Sequence, residues 1–262
     1  MSSDAETDAK QFGDVRLIAR AAAILRALAE QPRGASLGEL ARATGIPRST
    51  VQRLVHALEA ERMVATQPHR PGVRLGFELC RMAAFVEGDA RDILRPYAEQ
   101  LRDLFGESVD ITFWDRDVPM VIETFASTQP LRGVSHVADK LPLHCTANGK
   151  AHLSLLDRAR RAELLAGPLT RYNARTKTDP EHVLAEIEAS AGQGYFVDRG
   201  EFFEGLCAVA VTFDDPNLSD FSIGIVAPAQ RFDAGLDSYL EKLLEIRASL
   251  ALASRRFSPH RK

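Results

Sequence analysis

The chain has 262 residues, 45% hydrophobic and 26% charged, with a formal net charge of −3. This is the balance of a folded protein rather than a disordered one, and the length suits two domains with real cores. No run approaches the ~20 apolar residues of a membrane span. Cys80, Cys145 and Cys207 are odd in number, far apart and form no C-x-x-C pair. They read as reduced thiols of a cytoplasmic protein, with no metal site and no cofactor.

The acidic, polar start MSSDAETDAKQFGD is unlike a secretory leader and reads as a disordered tail over residues 1–14. A helix is predicted over residues 16–29, with Leu17, Ala21, Ile24, Leu25 and Leu28 on one side. It is stopped by Pro32-Arg33-Gly34.

Residues 37–58, LGELARATGIPRSTVQRLVHAL, carry a helix-turn-helix pattern. Leu37, Leu40 and Ala41 mark the first helix. Gly45-Ile46-Pro47 breaks it, since Gly permits the turn and Pro opens a helix that it could not continue. Val51, Leu54, Val55 and Leu58 line the inner face of the second helix. Arg48, Ser49, Thr50, Gln52, Arg53 and His56 remain as the candidate DNA-reading set, with Ser49, Gln52, Arg53 and His56 at i, i+3, i+4, i+7. Arg53 and Gln52 are the candidate base readers, because Arg pairs with guanine and Gln with adenine in the major groove. Ser49 and Thr50 are placed for phosphates at the helix start. The alternative is an ordinary helical hairpin with a solvated face.

Strand residues 63–65, a turn QPHRPG and a return strand 73–75 follow, completing a winged helix over residues 15–76. His69, Arg70 and Arg74 are expected at the wing tip, within reach of backbone or minor groove. Residues 15–76 contain ten Arg against four Glu, a surplus of six positive charges, whereas residues 77–262 carry 22 basic and 28 acidic side chains. A basic module joined to an acidic remainder fits one half touching phosphate and the other not.

Residues 77–92 read as a linker helix packed on a partner chain or on its own domain, and a second domain over residues 93–257 follows. Its predicted elements are a helix from Ile93 to the stop at Gly106 and a hairpin of residues 108–114 and 118–126. Helices over 146–156, 157–166 and 180–192 come next. The short strand YFVD, strands 207–213 and 221–227, and a long helix over 233–256 complete it. The architecture is α+β, an antiparallel sheet covered by helices.

Two segments of this domain suggest a ligand site. In LPLHCTANGKAHL, Thr146 is a candidate N-cap, and Asn148-Gly149 leaves N–H groups uncovered at a helix start, which attracts anions. In GYFVDRGEFFEGLCAVAV, Asp198 ends a strand, glycines shape a loop, and Phe202 and Phe203 supply an apolar wall. The bland alternatives are a capped helix with a close packing contact and a plain turn. Cys145 beside His144, with Asp198, raises a rival reading as a thiol enzyme or small-molecule hydrolase tethered by the N-terminal module. Sequence neighbours on a strand seldom face each other, and His144 and His152 lack metal-ligand spacing. A protein-binding hairpin is a further rival, though it has no need of the positive surplus.

Taken together, SLGELARATGIPRSTVQRLVHALEAERMV, LGFELCRMA, PLHCTANGKAHLSLL and GYFVDRGEFFEGLCAVAVTFDD resemble the IclR-type bacterial transcriptional regulators in order, over about residues 15–256. The resemblance implies a winged helix-turn-helix, a linker helix and a GAF-like effector domain. It implies homodimers or homotetramers on palindromic operators, acting as repressors or activators. It also implies control by a small-molecule effector such as an organic or aromatic acid or related catabolite. Carried over, the effector positions are Leu143, Ala147, Asn148, Asp198, Leu206, Ala208, Gly224 and Val226. Ala208 stands where Cys is frequent, Cys207 where Arg is usual, Gly224 and Val226 where small polar residues are usual, and Ala227 where Gly is usual. A site with fewer hydroxyl and thiol groups predicts a larger or more apolar effector, and Asp198 suits a hydroxyl or amine better than a carboxylate.

Overall fold

In a computed structural model, described for residues 3–31, 33–67, 70–83 and 89–257, the chain forms two compact units, Met1–Gly88 and Asp89–Lys262. The first holds α1 (Ser3–Ala29), α2 (Leu37–Thr44), α3 (Arg48–Ala60), β1 (Val64–Gln67), β2 (Arg70–Leu75) and α4 (Phe77–Ala83). Contrary to the expected tail, α1 starts at Ser3.

Local chemistry sets the helix-turn-helix. Ser36 and Glu39 form a reciprocal capping box at the start of α2, with Glu39 N donating to Ser36 Oγ at 3.2 Å and Ser36 N to Glu39 Oε2 at 2.7 Å. Gly45 ends α2 at φ 68°, the left-handed conformation that costs an L side chain most. Ile24, Leu28, Leu40, Val51, Leu54, Val55 and Leu58 then share one core with Val64 and Val73 of the wing. Burying each such side chain contributes about 1.5–3 kcal/mol. β2 starts three residues before the predicted return strand, so only residues 68 and 69 separate it from β1.

The second unit comprises α5 (Asp89–Phe105), β3 (Ser108–Asp115), β4 (Val118–Phe125), α6 (Ala147–Ser154), α7 (Arg158–Leu164) and α8 (Pro180–Ala191). β5 (Phe196–Asp198), β6 (Leu206–Thr212), β7 (Phe221–Pro228) and α9 (Ala229–Phe257) complete it. α5 begins at Asp89, four residues before the predicted boundary, because its inward stripe of Ala90, Leu94, Ala98 and Leu101 begins at Ala90. The sheet is antiparallel, in the order β4-β3-β7-β6-β5. Period-two alternation gives it two different faces. Val109, Ile111, Val209, Val211, Ile223 and Ile225 enter a core shared with α5 and α9. The opposite face carries Ala208, Ala210 and Gly224, with Asp110 and Asp198. There Ala210 and Phe196 pack with Ala147 and Ala151 of α6 and Val183, Leu184 and Ile187 of α8.

Candidate nucleic-acid interface and ligand cavity

On α3, Arg48, Ser49, Gln52, Arg53 and His56 are exposed and Thr50 is half-buried, while the four apolar residues between them are buried. Pro47 precedes the helix and no side chain caps it, so the first N–H groups stand beside Ser49 and Arg48 without a side-chain acceptor. An uncapped helix start flanked by hydroxyl and guanidinium groups has the chemistry of a phosphate contact. Glu59 near the end of α3 accepts from Thr66 N at 3.1 Å and from Thr66 Oγ1, which fixes the wing to the same helix. Arg74 is not at the wing tip as expected: it lies in β2 opposite Ala65, half-buried over Gly34. The reason is the earlier start of β2, which puts Arg74 within the ladder, paired with Ala65. His69 and the side chain of Arg70 lie outside the described residues.

The second unit contains a cavity of about 400 Å³ on the α6 side of the sheet. Six of the eight residues expected there line it: Ala147, Asn148, Asp198, Leu206, Ala208 and Val226. Cross-strand pairing brings most of them together, since Asp198 opposes Ala208 and Ala208 opposes Val226. Leu143 and Gly224 do not line the cavity. Leu143 packs into the cluster of α6 and α8, because the Pro142–Leu143 carbonyls press against Gly149 at the helix start. Gly224 lies beneath Asn148: a Cβ there would come within 2.5 Å of Asn148 Oδ1. The missing side chain is what lets α6 lie so close to β7. As expected, this helix start carries a side-chain cap, and the cap takes one of its N–H groups. Thr146 caps the helix, accepting from Gly149 N at 3.0 Å.

Asp110 escaped the sequence reading. It is the cross-strand partner of Gly224, faces the cavity and is 2% exposed. Ser135 Oγ donates to its Oδ2 at 2.5 Å, its cross-strand neighbour Thr124 acts on the same carboxyl, and Asn148 Oδ1 is buried without a hydrogen-bond partner. Neither Asp110 Oδ1 nor Asn148 Oδ1 is exposed to the cavity, and Asn148 Oδ1 lies against Gly224. Burial, opposed by the Ser135 and Thr124 hydroxyls, holds the Asp110 carboxyl above the usual range. Burial also pushes Asp198 up to about 7, against the hydrogen bond from Glu201 N at 2.6 Å.

Lys150 was missed as well. Its side chain is fully buried, and Nζ donates to Glu201 Oε1 at 2.7 Å, Glu186 Oε1 at 2.9 Å and the Val197 carbonyl at 2.9 Å. This joins α6, α8, β5 and the loop after Asp198. The signal available was a lone Lys among small and apolar residues at the start of a helix.

The thiol-enzyme reading loses its chemistry here. Cys145 is completely buried, and desolvation with the neighbouring Asp198 and Glu201 charges pushes its thiol up to about 12. A nucleophilic thiolate needs the opposite shift. His144 Nε2 bonds with the Thr170 carbonyl at 3.0 Å. His152 is buried against Thr112 and pushed down to about 4 by desolvation, which keeps it neutral.

A winged helix-turn-helix with a donor-bearing second helix, followed by an α+β unit holding a ligand-sized cavity, defines a DNA-binding transcriptional regulator. Residues 17–68 match the IclR helix-turn-helix domain, and residues 82–251 match the bacterial transcriptional regulator IclR C-terminal domain. The chain belongs to the IclR family of bacterial transcriptional regulators. It is 36% identical over 228 residues to the HTH-type transcriptional regulator Rv1719 of Mycobacterium tuberculosis, covering 87% of this chain and 88% of that one. It is 33% identical over 248 residues to the HTH-type transcriptional regulator TtgV of Pseudomonas putida, covering 94% of each. Among solved structures, an IclR homolog from Microbacterium hydrocarbonoxydans complexed with 4-hydroxybenzoate superposes with a TM-score of 0.83 at 21% identity, over 92% of this chain and 99% of that one. The IclR regulator of Alicyclobacillus acidocaldarius gives 0.79 at 23% identity, over 91% and 98%. At such identities the structural likeness concerns the fold.

Proposed function

We propose that this regulator binds a palindromic operator as a homodimer or homotetramer in the cytoplasm, and that a small molecule in the cavity of the second unit sets its operator affinity. The observation that carries the reading is a cavity of about 400 Å³ lined by Asp110, Asn148 and Asp198 together with apolar Leu206, Val226 and Phe202. That volume falls in the range of small-molecule pockets, roughly 300–1,000 Å³. The solved neighbour bound to 4-hydroxybenzoate supports a ring-sized effector, and the apolar Leu206, Val226 and Phe202 favour one over a two- or three-carbon acid. Ala147, Asn148, Asp198 and Ala208 are its proposed contacts alongside Asp110.

On the DNA side, Arg53 and Gln52 read bases, His56 lies further along the same face, and Arg48, Ser49 and Thr50 contact phosphate. Arg70 and Arg74 add wing contacts. Exposed Leu17, Ile18, Phe77 and Met82 in the first unit support pairing with a second copy. Among the described residues no helix is long and apolar enough to cross a membrane.

The test is anisotropy of labelled duplexes from the protein's own promoter region, with salt and ring-sized ligands varied. Specific binding that weakens steeply with salt and shifts when a ligand is added is expected. Indifference to these duplexes in dilute buffer overturns the DNA reading. Binding of glyoxylate or pyruvate as tight as that of the best aromatic ligand, by calorimetry, overturns the effector size.

A further inference from the structure

We propose that Tyr172 and Asn173, which stand outside the cavity, are positioning residues for it: they fix Phe202 and so set the size of the ring that the cavity accepts. The inference rests on the reading of this cavity as a ligand site and names what determines its selectivity.

Phe202 and Phe203 line the cavity, whereas Tyr172 and Asn173 do not. The two phenylalanines sit on the loop between β5 and β6, which turns at Gly200 (φ 75°) and Gly205 (φ 81°). The β5–β6 ladder pairs residues 196–198 with 208–210, so the carbonyls of this loop need other partners. The segment 170–176 supplies them. Asn173 Nδ2 faces the carbonyls of Gly200, Glu201 and Phe202 at 3.1, 3.2 and 3.4 Å. Its Oδ1 is engaged too, accepting from Arg175 N at 2.7 Å. Thr176, 2% exposed, donates through Oγ1 to the Glu201 carbonyl at 2.7 Å and accepts from Tyr172 N at 3.0 Å and Asn173 N at 2.9 Å. The backbone under Phe202 is thereby set by a segment that no ligand touches.

The ring of Phe202 is fixed from the same side. Tyr172 meets it edge-on, centroids 4.8 Å apart at 86°, a favourable arrangement for two aromatic rings. Tyr172 in turn stacks on His144 at 6.2 Å and 28°, and buried His144 bonds with the Thr170 carbonyl at 3.0 Å. Phe203 bounds Phe202 as well, at 4.2 Å. Trimming Tyr172 removes one of these two bounding rings and leaves room for Phe202 to turn to a rotamer directed away from the cavity. The rest of the loop keeps its anchors: Lys150 Nζ donates to Glu201 Oε1 at 2.7 Å, and Glu201 N donates to Asp198 Oδ1 at 2.6 Å. Tyr172 is 45% exposed, so its removal takes little from the core. A side chain outside the cavity thus acts on a ligand by changing the room available, with no contact of its own.

The test uses the full-length protein and three hydroxy acids of growing body, 4-hydroxybenzoate and its naphthalene and biphenyl counterparts, each titrated by calorimetry. Tyr172→Ala is expected to shift the affinity ratio of the largest to the smallest at least about tenfold toward the larger body, whereas Tyr172→Phe keeps the parent's ratio. Asn173→Asp keeps the shape of the side chain but takes away both amide donors, and should shift the ratio the same way. Phe202→Ala should reproduce the shift. Adding Tyr172→Ala to it should move the ratio no further, because a residue that acts through Phe202 then has nothing to act on. A residue that only supports the fold would lower all three affinities by one factor. That result, an unchanged ratio in folded Tyr172→Ala, or shifts that add in the double variant each overturn the proposal while the reading of the cavity stands. Tyr172→Ala and Asn173→Asp act on different contacts, so either decides the matter where the other does not fold. If none of the three acids binds the unaltered protein, the reading of the cavity as a site for ring-sized ligands fails and the proposal falls with it.

Discussion

Replacing Asp198 by asparagine isolates the electrostatic character of the cavity. The native carboxyl titrates at about 7 against an ordinary 3.8, a difference of about three pH units. At about 1.4 kcal/mol per unit this is a penalty of order 4 kcal/mol once both states are ionised. The sign follows from proton counts. Below pH 3.8 the folded and unfolded chains both hold the proton and the penalty is absent. Between about 4 and 7 the unfolded chain releases it first, so stability falls as pH rises. Above 7 the full penalty stands. Asparagine cannot ionise, yet its carbonyl oxygen still accepts the Glu201 N–H that Asp198 Oδ1 accepts at 2.6 Å. Asp198→Asn is therefore expected to be more stable than the parent at pH 8, with an advantage about 2–3 kcal/mol larger than at pH 5. Urea unfolding followed by tryptophan fluorescence reads this directly, since the chain's single Trp, Trp114, lies on β3 of the unit concerned. A difference between the two proteins that does not change from pH 5 to 8 would show that Asp198 is solvated and refute the reasoning.

Three further outcomes test other parts of the molecule. Arg53→Ala should weaken operator binding by about 1–3 kcal/mol and relax selectivity at one base pair, seen by anisotropy on single-substitution operators; uniform weakening on all sequences would make Arg53 a phosphate contact. Lys150→Met leaves buried Glu201 with only the exposed Lys177, 3.5 Å away, as counter-charge and should lower stability by about 3 kcal/mol in the same urea assay, with partial recovery on adding Glu201→Gln. A loss below about 1 kcal/mol would show that the Lys150 ion pairs are not a buried network. Gly224→Ala places a methyl 2.5 Å from Asn148 Oδ1 and should displace that amide, lowering affinity for the best aromatic ligand more than it lowers stability; unchanged affinity would remove Asn148 from the contact set.

How much of this was legible in the sequence follows from the range of the interactions. The helix-turn-helix was readable because its determinants are local: Ser36 with Glu39, Gly45, and the stripe from Val51 to Leu58 all act within a few residues. The sheet was readable for the same reason, since period-two alternation is a property of each strand alone. The boundary at α5 was misplaced because Ala90 looks neutral until its burial against the sheet is known. Asp110 was missed for a longer-range reason. In SVDITFW an acid at an alternate position is what a solvent-facing strand surface offers, and only α6, 37 residues on, makes that face an interior. Leu143 and Gly224 were carried over by resemblance and stand behind the cavity wall rather than in it.

Asp198 and Lys150 belong to one construction, and this bears on how a ligand could act. Asp198 Oδ1 holds the Glu201 N–H, and Glu201 Oε1 holds Lys150 on α6, two residues from Asn148. The same loop is clasped from outside, where Thr176 Oγ1 donates to the Glu201 carbonyl at 2.7 Å and Asn173 Nδ2 to the Gly200 carbonyl at 3.1 Å. Changing the charge on Asp198 therefore alters the field on Glu201 and Lys150 together. A ligand alters operator affinity only by binding two states of the protein unequally. The loop after Asp198 is where such inequality would be generated, because an ionised Asp198 repels Glu201 while a protonated one does not. Asp198→Asn fixes the uncharged condition, so a ligand that acts through this charge should still bind the variant yet release less operator DNA. Full release by the variant at matched occupancy would place the switch elsewhere in the cavity.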